Sequence, residues 1–241
     1  MGRPHRAPHQ IPRYAPVVRL LRTLPPGARV LEIGSGSEGI ATWWRRPFVG
    51  LDLHFDYRMA RNLRPVFGDA TRTPFPDDTF DLVVCVAVLV HLEGDGTVEQ
   101  VCSEIGRVTR GRAVIVTPCG DEANRSDLRM LDWSRARGFE PKQWLLDQIA
   151  RGPLDGESVT QPLARYGHVR IGTTLSVPWN ERFFRAEQRM RQLRGTMTAA
   201  QPLLRGWGWV AGRELDGGGA PYERSFVLSK GETSSPPRAS S

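Results

Sequence analysis

The stretch Val30-Leu31-Glu32-Ile33-Gly34-Ser35-Gly36-Ser37-Glu38-Gly39, followed by Gly50-Leu51-Asp52, decides the fold of this chain. An apolar strand leads into a turn rich in glycine, and a second strand ends on the carboxylate of Asp52. Gly34 and Gly36 allow a tight turn and a close approach of the backbone to a ligand. Asp52 is then placed to accept hydrogen bonds from ribose hydroxyls. The layout predicts a site for a ligand that contains a nucleoside.

Two classes of site share this layout. Gly34, Gly36 and Gly39 match the G-x-G-x-x-G pattern of dinucleotide-binding proteins, in which a helix N-terminus receives a pyrophosphate. Glu32 offers a pyrophosphate no advantage, whereas a cationic ligand gains from a carboxylate nearby. S-adenosylmethionine is such a ligand, because it carries a sulfonium and an amino group. The turn alone leaves open both a nicotinamide oxidoreductase and an enzyme that uses S-adenosylmethionine.

The segments that follow favour the second class. They are Gly68-Asp69-Ala70, Pro74-Phe75-Pro76-Asp77-Asp78-Thr79-Phe80-Asp81 and, after an apolar run, Val88-Leu89-Val90-His91-Leu92. With the glycine turn and Asp52, these motifs resemble the class I S-adenosylmethionine-dependent methyltransferases, in particular the methyltransferase type 11 branch. The resemblance covers roughly residues 28–118 and rests on five motifs in the same order.

The resemblance implies which residues hold S-adenosylmethionine. Glu32 and the two glycines after it would surround the methionine part, and Asp52 would hold both ribose hydroxyls. Asp69 would accept from the adenine amino group while the next residue donates its backbone amide. The implied cofactor contacts are Glu32, Gly34, Ser35, Gly36, Asp52, Leu53, Asp69, Ala70 and Val86. Glu38 stands where many members carry a further glycine, so we expect a stiffer loop or a displaced helix start.

The fold class is α/β: a Rossmann-like seven-stranded, mostly parallel sheet with an antiparallel C-terminal strand and a helical lid insertion. Strands are predicted at 28–33, 48–52, 65–67, 81–86 and 112–117, and helices at 14–24, 95–107, 140–151 and 180–194. A C-terminal hairpin is predicted to pair 207–212 with 222–228. Residues 1–13 are expected to form a flexible basic leader, 14–229 the methyltransferase domain with a lid over about 120–205, and 230–241 a disordered tail.

Two histidines are candidate general bases, since methyl transfer to oxygen or to an acidic carbon requires removal of a proton. His91 follows the fourth strand at the edge where cofactor and acceptor should meet, and His168 lies in the predicted lid. The lid is rich in aromatic residues, with Trp133, Trp144 and Trp179. It therefore suggests an apolar or aromatic acceptor, although these side chains could instead form the core of the lid itself.

Composition limits the remaining possibilities. The net charge is +7, and six arginines precede the first acid, Glu32, so the rest of the chain is nearly neutral. A basic arm could contact phosphates or simply be solvated, and nucleic acid as a partner is not favoured. Cys85, Cys102 and Cys119 are widely spaced, which argues against a disulfide framework or a zinc site. The sequence shows no secretory signal and no apolar run long enough for a membrane span, so a cytoplasmic protein is expected.

The function predicted from these observations is S-adenosylmethionine-dependent methyl transfer to a small-molecule acceptor, such as a specialised metabolite. Methylation of RNA or protein is an alternative, and so is an NAD(P)-dependent oxidoreductase. No pattern in the sequence indicates whether the acceptor atom is oxygen, nitrogen or carbon. The oligomeric state stays open as well.

Overall fold

The computed structural model describes residues 10–192 and 219–231 of the 241-residue chain. In these residues seven strands form one sheet in the order β3-β2-β1-β4-β5-β7-β6. The strands are β1 (Val30–Ile33), β2 (Phe48–Asp52), β3 (Leu63–Phe67), β4 (Phe80–Val86), β5 (Thr109–Pro118), β6 (His168–Ser176) and β7 (Pro221–Ser229). Strands β1 to β5 are parallel, and β7 runs antiparallel to both β5 and β6. The predicted fold class is confirmed.

Helices cover both faces of the sheet. They are α1 (Gln10–Arg22), α2 (Thr97–Val108), α3 (Asp121–Arg135), α4 (Gln143–Arg151), α5 (Glu157–Ala164) and α6 (Val177–Gln192). The buried residues of α1 join one core on one face, while those of α2 and α5 join another core on the opposite face. Because helices cover both faces, central strands such as β4 are buried on both sides and consist of nearly continuous apolar residues.

A third apolar cluster lies beyond the ends of the strands. Residues of α3, α4 and α6 pack there around Leu175 of β6 and Tyr222 of β7. Phe184 belongs to this cluster and makes edge-on contacts with the rings of Trp133 and Trp144, which pack against it. Part of the segment predicted as a lid therefore has an apolar core of its own.

The strand register brings the functional segments to one edge of the sheet. Ile33 of β1 is level with Leu51 of β2 and with Cys85 of β4. Cys85 is in turn level with Ile115 of β5. The segments that follow these strands therefore emerge side by side, at the edge where open α/β sheets bind ligands. We call it the carboxyl edge.

The C-terminal part of the sheet differs from the prediction. The sequence predicts a hairpin between 207–212 and 222–228, but 207–212 lies outside the described residues, and both sides of β7 are paired, with β5 and β6. The segment predicted as a helical lid thus supplies an edge strand, β6, as well as α5, which packs with α2. The first half of β6 consists mostly of exposed residues, so the sequence lacks the hydrophobic pattern that would predict a strand there.

Both predicted domain boundaries also shift. Helix α1 begins at Gln10, so Arg13 belongs to a helix rather than to the predicted flexible leader. Lys230, predicted as the start of the tail, donates its backbone amide to Gly111 and its ammonium to Asp78. Residues 1–9 and 232–241 lie outside the described part of the chain.

None of the helices in the described ranges is long and apolar enough to cross a membrane. The same ranges contain no group of three or more side chains arranged to hold a metal ion. Cys85, Cys102 and Cys119 are buried free thiols.

Candidate active site

The glycine turn after β1 lies at the carboxyl edge. Two of its glycines have different roles, one in packing and one in leaving space for a ligand. Gly34 and Gly36 have φ angles of +69° and +51°, which favour glycine. A Cβ at Gly34 would overlap the side chain of Val88, so Gly34 allows the segment after β4 to pack closely. A Cβ at Gly36 would meet no atom within 4 Å and would instead enter the open space at the edge. That space is where a ligand can approach the backbone.

Glu32 is buried beneath the turn and fixes its shape. The side chain is 1% exposed, and its Oε2 accepts a hydrogen bond of 2.6 Å from the amide of Ile40. Burial raises the pKa of Glu32 to about 8, although hydrogen bonds from Ile40 and the Tyr14 hydroxyl oppose this effect. A Cβ at Gly39 would overlap the Glu32 carboxylate, so the third glycine is required here. Glu32 therefore supports the turn directly.

Glu38 stands where many members of the family carry a glycine, but its backbone does not adopt the positive φ angle that favours glycine. Its φ angle is −120°, and the positive φ angle of +46° falls on the next residue, Gly39. A short 3-10 helix, Gly39–Thr42, follows the turn directly. The stiffer loop or displaced helix start expected from Glu38 stays a prediction.

The remaining predicted cofactor residues lie around the turn. Asp52 accepts hydrogen bonds from the amides of Gly36, at 2.7 Å, and His54, at 3.1 Å. Leu53 is 77% exposed, and exposed Asp69 accepts a bond of 2.8 Å from the amide of Thr71. Partly buried Ala70 follows Asp69, and Val86 ends β4 beside the turn. Ser35 is buried against Gly50, where it packs rather than faces the open edge.

A cavity of about 170 Å³ opens at the same edge, beyond β4 and β5. Trp144, Phe184 and Tyr222 form its aromatic wall, while Arg13 and Lys142 are charged residues in its lining. Each cation pairs with a carboxylate: Arg13 with fully buried Glu223, and Lys142 with Glu187 at 2.7 Å. One side of the cavity is therefore apolar, and on the other side the positive charges of the two cations are offset by their paired carboxylates.

Ala87 connects the cavity to the glycine turn. It lines the cavity and has a φ angle of +56°, which is uncommon for a residue other than glycine. Its neighbours are Val86, which ends β4, and Val88, which packs on Gly34. Strained backbone of this kind concentrates at functional sites.

The two candidate histidines lie at opposite ends of the sheet. His91 lines the cavity; partial burial lowers the pKa of its imidazole, Arg151 and Arg13 act in the same direction, and Asp147 opposes them. His168 is exposed at the start of β6, level with Ser229 and, across β7, with Arg112 near the start of β5. The structure does not bring His168 to the carboxyl edge, so we do not retain it as a candidate base.

Several residues of the site have no local sequence signal. Arg13 and Glu223 are separated by 210 positions. Tyr222 donates a hydrogen bond of 2.8 Å to Asp127, which lies 95 positions away. Burial raises the pKa of Asp127 to about 7, with the hydrogen bonds from Tyr222 and Gln148 acting in the opposite direction. Only the packing of α1, α3 and α4 against the start of β7 brings these residues together.

Comparisons with known proteins find related methyltransferases. A family model described as "Methyltransferase domain" matches residues 31–117, from β1 to the end of β5. The fatty-acid O-methyltransferase of Mycolicibacterium smegmatis is 32% identical over 194 residues, which are 71% of this chain and 65% of that protein. The matched part of the chain thus spans about two thirds of that relative's length.

Solved structures of low sequence identity share the fold. One is a putative sarcosine dimethylglycine methyltransferase from Galdieria sulphuraria, with a TM-score of 0.56, 15% identity, and coverage of 92% of this chain and 85% of that one. Another is a geranyl diphosphate methyltransferase in complex with S-adenosylmethionine, with a TM-score of 0.54, 15% identity and the same coverage of both chains.

Proposed function

Because this chain belongs to the class I S-adenosylmethionine-dependent methyltransferases, we propose that it methylates a small-molecule acceptor held in the cavity beside Tyr222. The observation that carries the proposal is the short path from the glycine turn to the cavity. Val88 packs on Gly34, and the adjacent Ala87 lines the cavity. A cofactor on the turn and an acceptor in the cavity would therefore lie next to each other, as in-line transfer requires.

The residues at the turn fit S-adenosylmethionine. Asp52 and Asp69 are accessible carboxylates at one edge, suited to the ribose hydroxyls and the adenine amino group. The open side of Gly36 leaves room for the methionine part, and exposed Leu53 offers an apolar surface to adenine. S-adenosylmethionine supplies the methyl group: the acceptor atom bonds to the methyl carbon as the carbon–sulfur bond breaks, which leaves S-adenosylhomocysteine.

The walls of the cavity favour a compact acceptor with an apolar body. A cavity of about 150 Å³ lined by apolar side chains holds a benzene ring, and the present cavity of about 170 Å³ is of similar size. The relative from M. smegmatis is named as an O-methyltransferase, which supports oxygen as the acceptor atom. A specialised metabolite with a single ring and an oxygen nucleophile meets these requirements.

A transfer assay tests this function. The full chain is incubated with methyl-labelled S-adenosylmethionine and separate pools of phenols, alcohols, carboxylic acids, RNA and protein. We expect label in a small-molecule pool. Label confined to RNA or protein would contradict the proposal, and so would calorimetry in which NAD binds tightly while S-adenosylmethionine and S-adenosylhomocysteine do not.

Replacing Asp52 tests the cofactor site. We expect Asp52→Ala to weaken S-adenosylmethionine binding by about 1–3 kcal/mol, the scale of hydrogen bonds to a charged acceptor. Asp132→Ala, on the exposed side of α3, is the matched control and should leave the affinity unchanged. Isothermal titration calorimetry measures both variants. Equal affinity in Asp52→Ala and the wild type would remove Asp52 from the site.

A further inference from the structure

A buried acid lies behind the aromatic wall of the cavity. Asp127 of α3 is 3% exposed and accepts two hydrogen bonds, from the Tyr222 hydroxyl at 2.8 Å and from the Gln148 carboxamide at 3.1 Å. Both donors line the cavity, and Tyr222 is 1% exposed. The network thus joins the cavity wall to a carboxylate that bulk water does not reach.

Among the described residues, no cation forms an ion pair with the Asp127 carboxylate. Arg13, the nearby cation of α1, is already paired with Glu223. The titratable groups around Asp127 are Tyr222 and Glu223 of β7, Arg151 of α4, Cys119 after β5 and Arg13 of α1. A carboxylate in such a place binds a proton more readily than one in water, since burial penalises its charged form.

We propose that Tyr222 is a catalytic residue, that Asp127 takes the proton released in the reaction, and that the methyl acceptor is an alcohol or a phenol. The inference rests on the function proposed above. The acceptor O–H proton passes to Tyr222 Oη while the proton of Tyr222 passes to Asp127 Oδ1 along their hydrogen bond. The electron pair freed on the acceptor oxygen forms the bond to the methyl carbon, and the pair of the broken carbon–sulfur bond stays on sulfur. After the product leaves, Asp127 returns its proton through Tyr222 Oη to water that enters the cavity.

Gln148 is the positioning residue of this network. Its carboxamide donates to Asp127 and also hydrogen-bonds the Tyr222 hydroxyl. It therefore holds the two oxygens in the order that the proton transfer requires. The near-neutral pKa of Asp127, about 7, suits a group that must accept a proton at physiological pH.

The same network argues against a carboxylic acid as the acceptor. A carboxylic acid is already ionised at neutral pH, with a pKa of about 4, and needs no group to remove a proton. Its charge would also lie near buried Asp127, which has no ion-pair partner among the described residues, and this disfavours binding. A phenol, with a pKa of about 10, needs the proton acceptor that this wall provides.

The test compares Asp127→Asn and Tyr222→Phe with the wild type on a series of phenols of different acidity. With weakly acidic phenols, we expect kcat of the wild type to rise with pH through an apparent pKa near neutral. Both variants should lose this rise and about 100-fold or more in kcat, with S-adenosylmethionine affinity and Tm close to wild type. The loss should shrink with nitrophenols, which ionise near neutral pH. Asp132→Asn, exposed on the same helix, is the control.

A second readout does not depend on turnover. In cofactor-free protein labelled on its aspartates alone, isotope-edited infrared spectroscopy should show an aspartic carboxyl group that titrates near neutral pH and disappears in Asp127→Asn. Unchanged kcat and pH profile in Asp127→Asn would overturn the inference, as would loss of the pH-dependent rise in His91→Gln alone. Transfer to carboxylic acids but not to phenols would also overturn it while leaving the proposed function intact. Absence of S-adenosylmethionine binding would instead refute the proposed function itself.

Discussion

Arg13→Met is expected to lower the free energy of unfolding by about 3–5 kcal/mol at pH 8, the cost of leaving a buried charge without its partner. Glu223 is fully buried, and the Arg13 guanidinium donates to its Oε1. Without the cation, the folded variant holds a buried carboxylate that has lost its ion-pair partner. Urea unfolding at pH 8 measures the loss.

Two further variants isolate this pair. Arg13→Met combined with Glu223→Gln removes both charges and should regain most of the lost stability. Arg125→Met breaks an exposed ion pair with Glu122 and should leave the unfolding curve unchanged. If Arg13→Met unfolds at the same urea concentration as Arg125→Met, the pair does not stabilise the start of β7.

Gly39→Ala is the second large effect we expect, a loss of about 2–5 kcal/mol in the free energy of unfolding. About 1–2 kcal/mol comes from a positive φ angle in a residue with a Cβ. About 1–3 kcal/mol more comes from breaking the hydrogen bond between Ile40 and buried Glu32, whose carboxylate the new Cβ would displace. Thermal or chemical unfolding measures the loss.

Gly36→Ala is the matched control within the same turn. Its φ angle of +51° is close to the +46° of Gly39, but its Cβ would meet no protein atom. We therefore expect it to lose less stability than Gly39→Ala. For the same loss of stability, Gly36→Ala should weaken S-adenosylmethionine binding more than Gly39→Ala does. The reason is that its Cβ would enter the space proposed for the cofactor. Equal effects of both variants on stability would contradict the role given to Glu32.

Local chemistry explains why the five parallel strands could be predicted, and why the sequence alone suggests residues for the cofactor. The glycine turn, Asp52 and Asp69 lie within one stretch of consecutive strands, and parallel pairing places their ends at one edge. The family assignment rests on these same residues.

The acceptor side could not be predicted because its residues meet only through tertiary packing. Arg13 comes from α1, Asp127 from α3, Gln148 from α4 and Tyr222 from β7. The predicted pairing of 207–212 with 222–228 differs from the observed pairing of β7 with β6 because tertiary packing decides which strand pairs with β7. Residues 207–212 carry the apolar and aromatic residues typical of a strand, whereas β6 is an edge strand and tolerates the polar sequence around Arg170.

The position of β7 has a consequence for how the protein is made. This strand comes last of the seven in the chain, yet it lies between β5 and β6, which emerge from the ribosome earlier. The nascent chain cannot close that side of its sheet until residues 221–229 are available. The unpaired edge of β5 is exposed to other chains during that time. Tyr222 and Glu223 arrive with β7, so the wall of the cavity is complete only after residues 221–229 have joined the sheet.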